Sequence, residues 1–224
     1  MGASRTQATC QLYLVLEVQE ATREHLAAIL ARLPVASVVF KPARGGGLAA
    51  ATVKPLVDLA QGEHVAALLL DDVALARTLR ADGVHLSAGD DVVQRAQDAR
   101  EVLGGRAIVG ADAGGSRHSA MELGEAGADY VAFGSAKLEA PPTENDQAGA
   151  DVAGPFDRLG LVEWWSAVFE VPCVAFDVED AGAASDLAYA GADFVAVAAP
   201  TGQPAAAVID WLADISRVLE RADA

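Results

Sequence analysis

Short runs of apolar residues alternate along the chain with longer segments in which apolar residues recur every three or four positions. The stretch Val65–Asp91 shows the pattern clearly: the apolar run Leu68–Leu70 stops at Asp71 and Asp72, a helix-type stripe follows, and a second run comes at Val84–Leu86. This order predicts a βαβ unit with parallel strands. In such units ligands bind at the carboxyl ends of the strands, where these acidic residues would lie.

The same alternation occurs eight times. Helices are predicted between the strands, and the last one carries its apolar stripe on Val208, Leu212, Ile215 and Leu219. Strands are predicted at 12–18, 35–41, 68–70, 84–86, 107–110, 130–134, 172–176 and 194–198. The fold class is therefore α/β, and the architecture is a TIM (β/α)8 barrel.

An internal repeat favours a closed barrel over an open doubly wound sheet. Ala81-Asp82-Gly83, Gly127-Ala128-Asp129 and Gly191-Ala192-Asp193 are versions of one turn, and they precede the fourth, sixth and eighth strands. Even-numbered strands of such a barrel share a layer of inward side chains, so a repeat on every second strand is expected.

Length and composition predict one domain over residues 1–224. The chain is 52% hydrophobic and 21% charged, which is enough apolar content for one large core. Residues 1–10 are expected to form a flexible N-terminal tail. Residues 135–157 are polar and rich in proline and glycine, and we expect a long rim loop there.

Charge and cysteine content narrow the class of partner. A formal net charge of -16 argues against nucleic-acid binding, which depends on neutralising phosphates. No apolar run is long enough to span a membrane, and Cys10 and Cys173 stand far apart without metal-type spacing. We expect a cytoplasmic protein that binds small molecules, with a homo-oligomer possible.

Several segments resemble, in order and spacing, the thiamine phosphate synthase family and its thiazole tautomerase relatives, over nearly the whole chain. They are LYLV at 12–15, LLLDD at 68–72, ADGVHLSAGDD at 81–91, IVG at 108–110, GADYVAFGS at 127–135 and AGADFVAVA at 190–198. The resemblance implies an enzyme of thiamine biosynthesis that joins hydroxymethylpyrimidine pyrophosphate to thiazole phosphate.

The resemblance also implies roles for particular residues. Asp72 and Asp90 stand where the family has two magnesium-binding carboxylates, and carboxylates suit a hard cation that faces a pyrophosphate. Lys41 replaces the family's arginine after the second strand, so it is the candidate catalytic and substrate-binding cation. Asp71 and Asp112 are further candidate substrate-binding residues, and the implied cofactor is Mg²⁺.

The departures from the family pattern fall on its anion-binding groups. Lys41 is a point charge in place of a bidentate guanidinium. Asp112 and Glu139 stand where the family has hydroxyl groups, Asp177 stands where the family has a glycine turn, and Pro200 has no amide hydrogen to donate. We therefore expect a degenerate anion-binding site with weak or no activity.

Each candidate also has a plainer structural interpretation. Asp71 and Asp72 can end a strand and cap a helix. His85 alternates with apolar neighbours and is expected to be a hydrogen-bonded barrel histidine rather than a base. Lys137, the first cation of the sixth loop, is a candidate phosphate contact, and a solvated loop lysine is the alternative.

The sequence leaves two functional classes open. One is the transferase, acting on phosphorylated thiamine precursors with Mg²⁺. The other is a barrel that has lost phosphate recognition and serves as a sensor or scaffold for a small organic ligand, or as a thiazole tautomerase-like isomerase.

Overall fold

The computed structural model describes residues 10–134 and 157–221. Within them, eight parallel strands follow one another around a closed barrel, and the last pairs with the first. The strands are β1 (Gln11–Glu17), β2 (Val35–Lys41), β3 (Ala66–Leu70), β4 (Gly83–Leu86), β5 (Ile108–Asp112), β6 (Tyr130–Phe133), β7 (Cys173–Ala175) and β8 (Phe194–Ala198). The predicted TIM barrel is confirmed.

A helix follows each strand and packs on the outside of the barrel. The helices are α1 (Thr22–Leu30), α2 (Ala50–Gly62), α3 (Val73–Leu79), α4 (Val92–Leu103), α5 (Arg117–Glu125), α6 (Arg158–Val168), α7 (Ala181–Tyr189) and α8 (Ala205–Arg221). None of the helices described is long and apolar enough to cross a membrane.

Two apolar cores result from the alternation of side chains along each strand. In β1, Leu12, Leu14 and Leu16 belong to the core between strands and helices, whereas Tyr13 and Val15 belong to a second cluster inside the barrel. Because successive strand residues point to opposite faces, a strand covered on both sides must be apolar throughout. The continuous apolar runs in the sequence therefore correspond to strands that are covered on both faces.

The aspartates of the three repeated turns form hydrogen bonds between neighbouring strands. Each carboxylate accepts a hydrogen bond from a main-chain N–H near the start of the preceding strand. The pairs are Asp82 with Ala67 (2.8 Å), Asp129 with Val109 (2.7 Å) and Asp193 with Cys173 (2.8 Å). These contacts satisfy donors at strand ends and tie β3 to β4, β5 to β6 and β7 to β8.

The predicted boundaries of β2 and β8 match the structure, and those of the other six strands differ from it by one or two residues. β5 continues through Asp112, beyond its predicted end at Gly110, because Ala111 and Asp112 stay in register with β6. The predicted N-terminal tail and the predicted 135–157 rim loop lie almost wholly outside the described residues.

Candidate functional site

Most of the candidate residues lie at the carboxyl ends of the strands. Lys41 is the last residue of β2, Asp71 and Asp72 follow β3, and Asp90 lies in the segment after β4. Asp177 follows β7 at the same end of the barrel. This is the end at which TIM barrels carry their active sites.

Asp71 is held by its neighbours, although its side chain remains 39% exposed at the rim. Its backbone is left-handed (φ 54°), and its carboxylate accepts hydrogen bonds from the N–H (2.9 Å) and the hydroxyl (2.5 Å) of Ser87. Nη1 of Arg95 donates to the same carboxylate at 3.1 Å. Asp71 therefore joins the loop after β3 to the loop after β4.

Asp72 and Asp90 are the two candidate ligands for the Mg²⁺ that the family resemblance implies. Asp72 caps α3, with its Oδ1 accepting from the N–H of Leu75 (2.9 Å), and Asp90 is exposed. The part of the chain that is described holds no group of three or more metal-type side chains. Mg²⁺ is commonly held by one or two carboxylates, with substrate phosphates and water completing its shell, so two carboxylates fit that arrangement.

The candidate cation Lys41 has a partner that sequence reasoning missed. Nζ of Lys41 lies 3.5 Å from Oε2 of Glu17, and the two side chains are 22% and 27% exposed. Glu17 ends β1 in register with Lys41 at the end of β2. The common position at the ends of neighbouring strands was the sequence signal that could have revealed this ion pair.

Two candidate residues remain, Asp112 and Lys137. Asp112 is fully buried at the end of β5, where its Oδ1 accepts a hydrogen bond from the N–H of Gly114 (2.8 Å). It is thus part of the wall of the barrel as well as a rim residue. Lys137 lies outside the described residues.

The barrel interior beneath the rim holds a chain of polar groups. Nδ1 of His85 lies 2.9 Å from the hydroxyl of Tyr130, which lies 3.0 Å from the hydroxyl of Tyr13. His85 also stacks on Phe176, with ring centroids 4.6 Å apart. His85 is therefore a hydrogen-bonded barrel histidine, as the sequence indicated.

Burial sets the protonation states of these interior groups. Loss of solvation lowers the pKa of His85 to about 4, while the negative charge of Asp71 acts in the opposite direction. Burial likewise raises the pKa of Tyr13 and of Tyr130 above the usual phenol value. At neutral pH the interior network carries no charge.

A cavity of about 520 Å³ opens beside the loops after β7 and β8. Its lining includes Asp177, Glu179, Pro200, Gln203 and Trp211. TIM barrels frequently bind phosphate at this place, through backbone N–H groups. In this chain two carboxylates and a residue without an amide hydrogen line the cavity, which disfavours an anion.

The fold and the rim define the class of protein: a (β/α)8 barrel with its candidate ligand site at the carboxyl ends of the strands. The chain belongs to the thiamine monophosphate synthase family, whose model matches residues 12–200.

Individual relatives agree with this assignment. The thiamine-phosphate synthase of Rhodospirillum centenum is 37% identical over 214 residues, which cover 90% of this chain and 96% of that protein. The thiamine-phosphate synthase of Erythrobacter litoralis is 44% identical over 149 residues. That match covers 66% of this chain and 65% of the relative. The match to the thiamine-phosphate synthase of Hyphomonas neptunium covers 64% of that relative. The chain thus spans just under two thirds of these two relatives.

Solved structures show the same fold. Thiamine phosphate pyrophosphorylase from Pyrococcus furiosus superposes with a TM-score of 0.71 at 21% identity, over 97% of this chain and 99% of that one. Tryptophan synthase from Mycobacterium tuberculosis gives a TM-score of 0.70 at 14% identity, over 94% of this chain and 93% of that one. At these identities the comparison concerns the barrel alone.

Proposed function

We propose that this protein is a thiamine phosphate synthase with a weakened anion-binding site. It would join hydroxymethylpyrimidine pyrophosphate to thiazole phosphate in the cytoplasm and release pyrophosphate. The observation that carries the proposal is family membership over residues 12–200 together with Asp72, Asp90 and Lys41 at one rim. Phosphorylated small molecules are the partners that this proposal implies.

The rim residues would act mainly by binding and by charge. Asp72 and Asp90 would hold Mg²⁺, which when bound neutralises the charge on the departing pyrophosphate. Lys41 would add a positive charge from the end of β2, where it stabilises negative charge that develops on the leaving group. The apolar walls around Tyr13, Tyr130 and Phe176 exclude water beneath the rim.

Charge is also the reason to expect slow turnover. Glu17 lies against Lys41 and offsets part of its positive charge. Asp177 and Glu179 line the cavity beside β7 and β8, where a phosphate group of the substrate would need to bind. Each carboxylate near a phosphate opposes binding by Coulomb repulsion.

The test is product formation by the purified protein with both precursors and Mg²⁺. We expect thiamine phosphate to form slowly, below about one turnover per second, and Asp90→Ala to abolish the product. Complete absence of product from the unaltered protein would contradict the proposal. Faster turnover would contradict the weakened site.

The cavity beside β7 and β8 supports a second candidate, a non-catalytic barrel that binds a small organic ligand. Its acidic lining suits a neutral or cationic group better than a phosphate. Calorimetry with the thiazole alcohol and the thiazole phosphate separates the two functions. Binding of the alcohol alone, without turnover of the phosphate, would favour the second candidate.

A further inference from the structure

Arg95 is the centre of a polar network that joins two rim loops. Its guanidinium reaches from α4 in three directions: Nε donates to Asp91 (2.8 Å), Nη1 donates to Asp71 (3.1 Å) and Nη2 donates to the carbonyl of Ser87 (2.6 Å). The Arg95 side chain is 31% exposed. It thus bonds to both loops at once, although neither Arg95 nor Ser87 stands out in the sequence.

The chain makes room for this contact at Gly89. A Cβ atom at position 89 would lie 3.0 Å from Nη2 of Arg95 and 3.2 Å from a carboxylate oxygen of Asp91. Such distances are tighter than ordinary carbon contacts, so a side chain at this position would push the guanidinium away. The glycine therefore permits the close approach of Arg95 to the loop after β4.

The candidate metal-binding carboxylates are immediate neighbours of the residues that Arg95 holds. Asp72 follows Asp71 in the chain, and Asp90 precedes Asp91. Holding Asp71 and Asp91 limits how far the backbone at Asp72 and Asp90 can move, because consecutive Cα atoms stay about 3.8 Å apart. The positive charge of Arg95 also offsets the carboxylate of Asp71, which would otherwise repel an anion at the rim.

We propose that Arg95 is a positioning residue that neutralises Asp71 and ties the two rim loops together, so that the rim accepts a magnesium-bound pyrophosphate. This inference rests on the proposed function, since pyrophosphate is the group that the synthase would release. Arg95 would act through Asp71 and Ser87, with which it forms hydrogen bonds, and not on the reacting atoms themselves. The family resemblance assigned it no role.

The first experiment measures binding of magnesium pyrophosphate by calorimetry to the unaltered protein, Arg95→Met and Arg95→Met/Asp71→Asn. We expect Arg95→Met to weaken binding about fivefold at low salt, because one uncompensated carboxylate then faces the anion. The double variant should return to within about twofold, because asparagine removes that charge and can still accept a hydrogen bond from Ser87. Asp91 matters less, because its side chain is 72% exposed and well screened.

Arg100→Met is the matched control. Arg100 lies on the same helix and makes similar bonds at the opposite end of the barrel, to Ala107 and Asp129. Its loss should lower stability without changing pyrophosphate affinity. Hydrogen exchange adds a readout that needs no ligand: the Ser87 amide should exchange faster in Arg95→Met than in Arg100→Met.

The outcomes separate this inference from the proposed function. If the unaltered protein fails to bind magnesium pyrophosphate, both proposals fail. If it binds and Arg95→Met binds equally well, or the double variant shows no recovery, only the role of Arg95 is overturned. Unchanged exchange at Ser87 would overturn the coupling of the loops.

Discussion

The positive charge of Lys41 is balanced by one neighbouring side chain. Lys41 was identified from its place at the end of the second strand, but the carboxylate beside it belongs to the first strand. Glu17 lies 3.5 Å away, and both side chains are about a quarter exposed. An ion pair of this exposure contributes little to stability, so its main effect is on the charge that a ligand meets.

Replacing Glu17 by glutamine should therefore strengthen the binding of an anionic substrate. We expect Glu17→Gln to lower KM for the pyrophosphate substrate about three- to fivefold, with kcat changed less, which corresponds to about 1 kcal/mol of recovered attraction. Glu20→Gln is the control, because Glu20 is exposed in the loop that follows β1. Equal effects of both substitutions would show that overall charge, rather than the contact, is responsible.

His85 makes the stability of the protein depend on acidity. Its folded pKa is about 4, below the ordinary value of 6.5, because burial disfavours the charged ring. Between these values the unfolded chain binds a proton that the folded protein does not, so the free energy of unfolding falls as the pH is lowered. From pH 7 to 4.5 the loss from this residue is about 2–3 kcal/mol.

Urea unfolding at pH 7 and pH 4.5 measures this loss. His85→Gln keeps a group that can bond to Tyr130 but cannot titrate, so its stability should fall less between the two pH values than that of the unaltered protein. If the free energy of unfolding falls by the same amount in both proteins, residues other than His85 cause the acid sensitivity.

At the level of strands and helices, the repeated aspartates stabilise pairs of strands. Asp82→Ala would leave the main-chain N–H of Ala67 without its acceptor, in a strand residue that is fully buried. An unsatisfied buried donor costs about 1–3 kcal/mol, and we expect a loss of that size in urea unfolding. Asp98→Ala, an exposed carboxylate on α4, should change stability by less than about 0.5 kcal/mol.

The sequence predicted the elements better than it predicted their contacts. Apolar runs located all eight strands because strands covered on both faces must be apolar. The repeat before every second strand was visible, but its bonds to the preceding strand were not, because they join residues 15 to 20 positions apart. The Asp71–Arg95 contact escaped for the same reason, as it spans 24 positions. Of the two carboxylates that Arg95 contacts, Asp91 had a local signal, its spacing of four residues from Arg95.

At the scale of the whole molecule, acidic residues lie together at the carboxyl ends of the strands. The formal net charge is -16, and the ends of β3, β4, β5 and β7 all carry aspartates. The fold places the candidate residues at the end of the barrel where TIM barrels carry their active sites, while the negative charge of this rim disfavours an anion. Local compensation by Lys41 and Arg95 therefore matters more than it would in a neutral barrel.

The aspartate carboxylates tie three pairs of strands, β3 with β4, β5 with β6 and β7 with β8. Cys10 and Glu220 line one cavity, so the start of β1 and the end of α8 lie together and can be joined by a short linker. A circular permutant opened at the exposed Gly104–Gly105 junction, between two tied strand pairs, should keep the thermal midpoint close to that of the unaltered chain. One opened between Arg80 and Ala81 separates β3 from β4 in the chain and should melt earlier. These three strand pairs would then be the units at whose boundaries the chain best tolerates a break, and at which related barrels could be recombined.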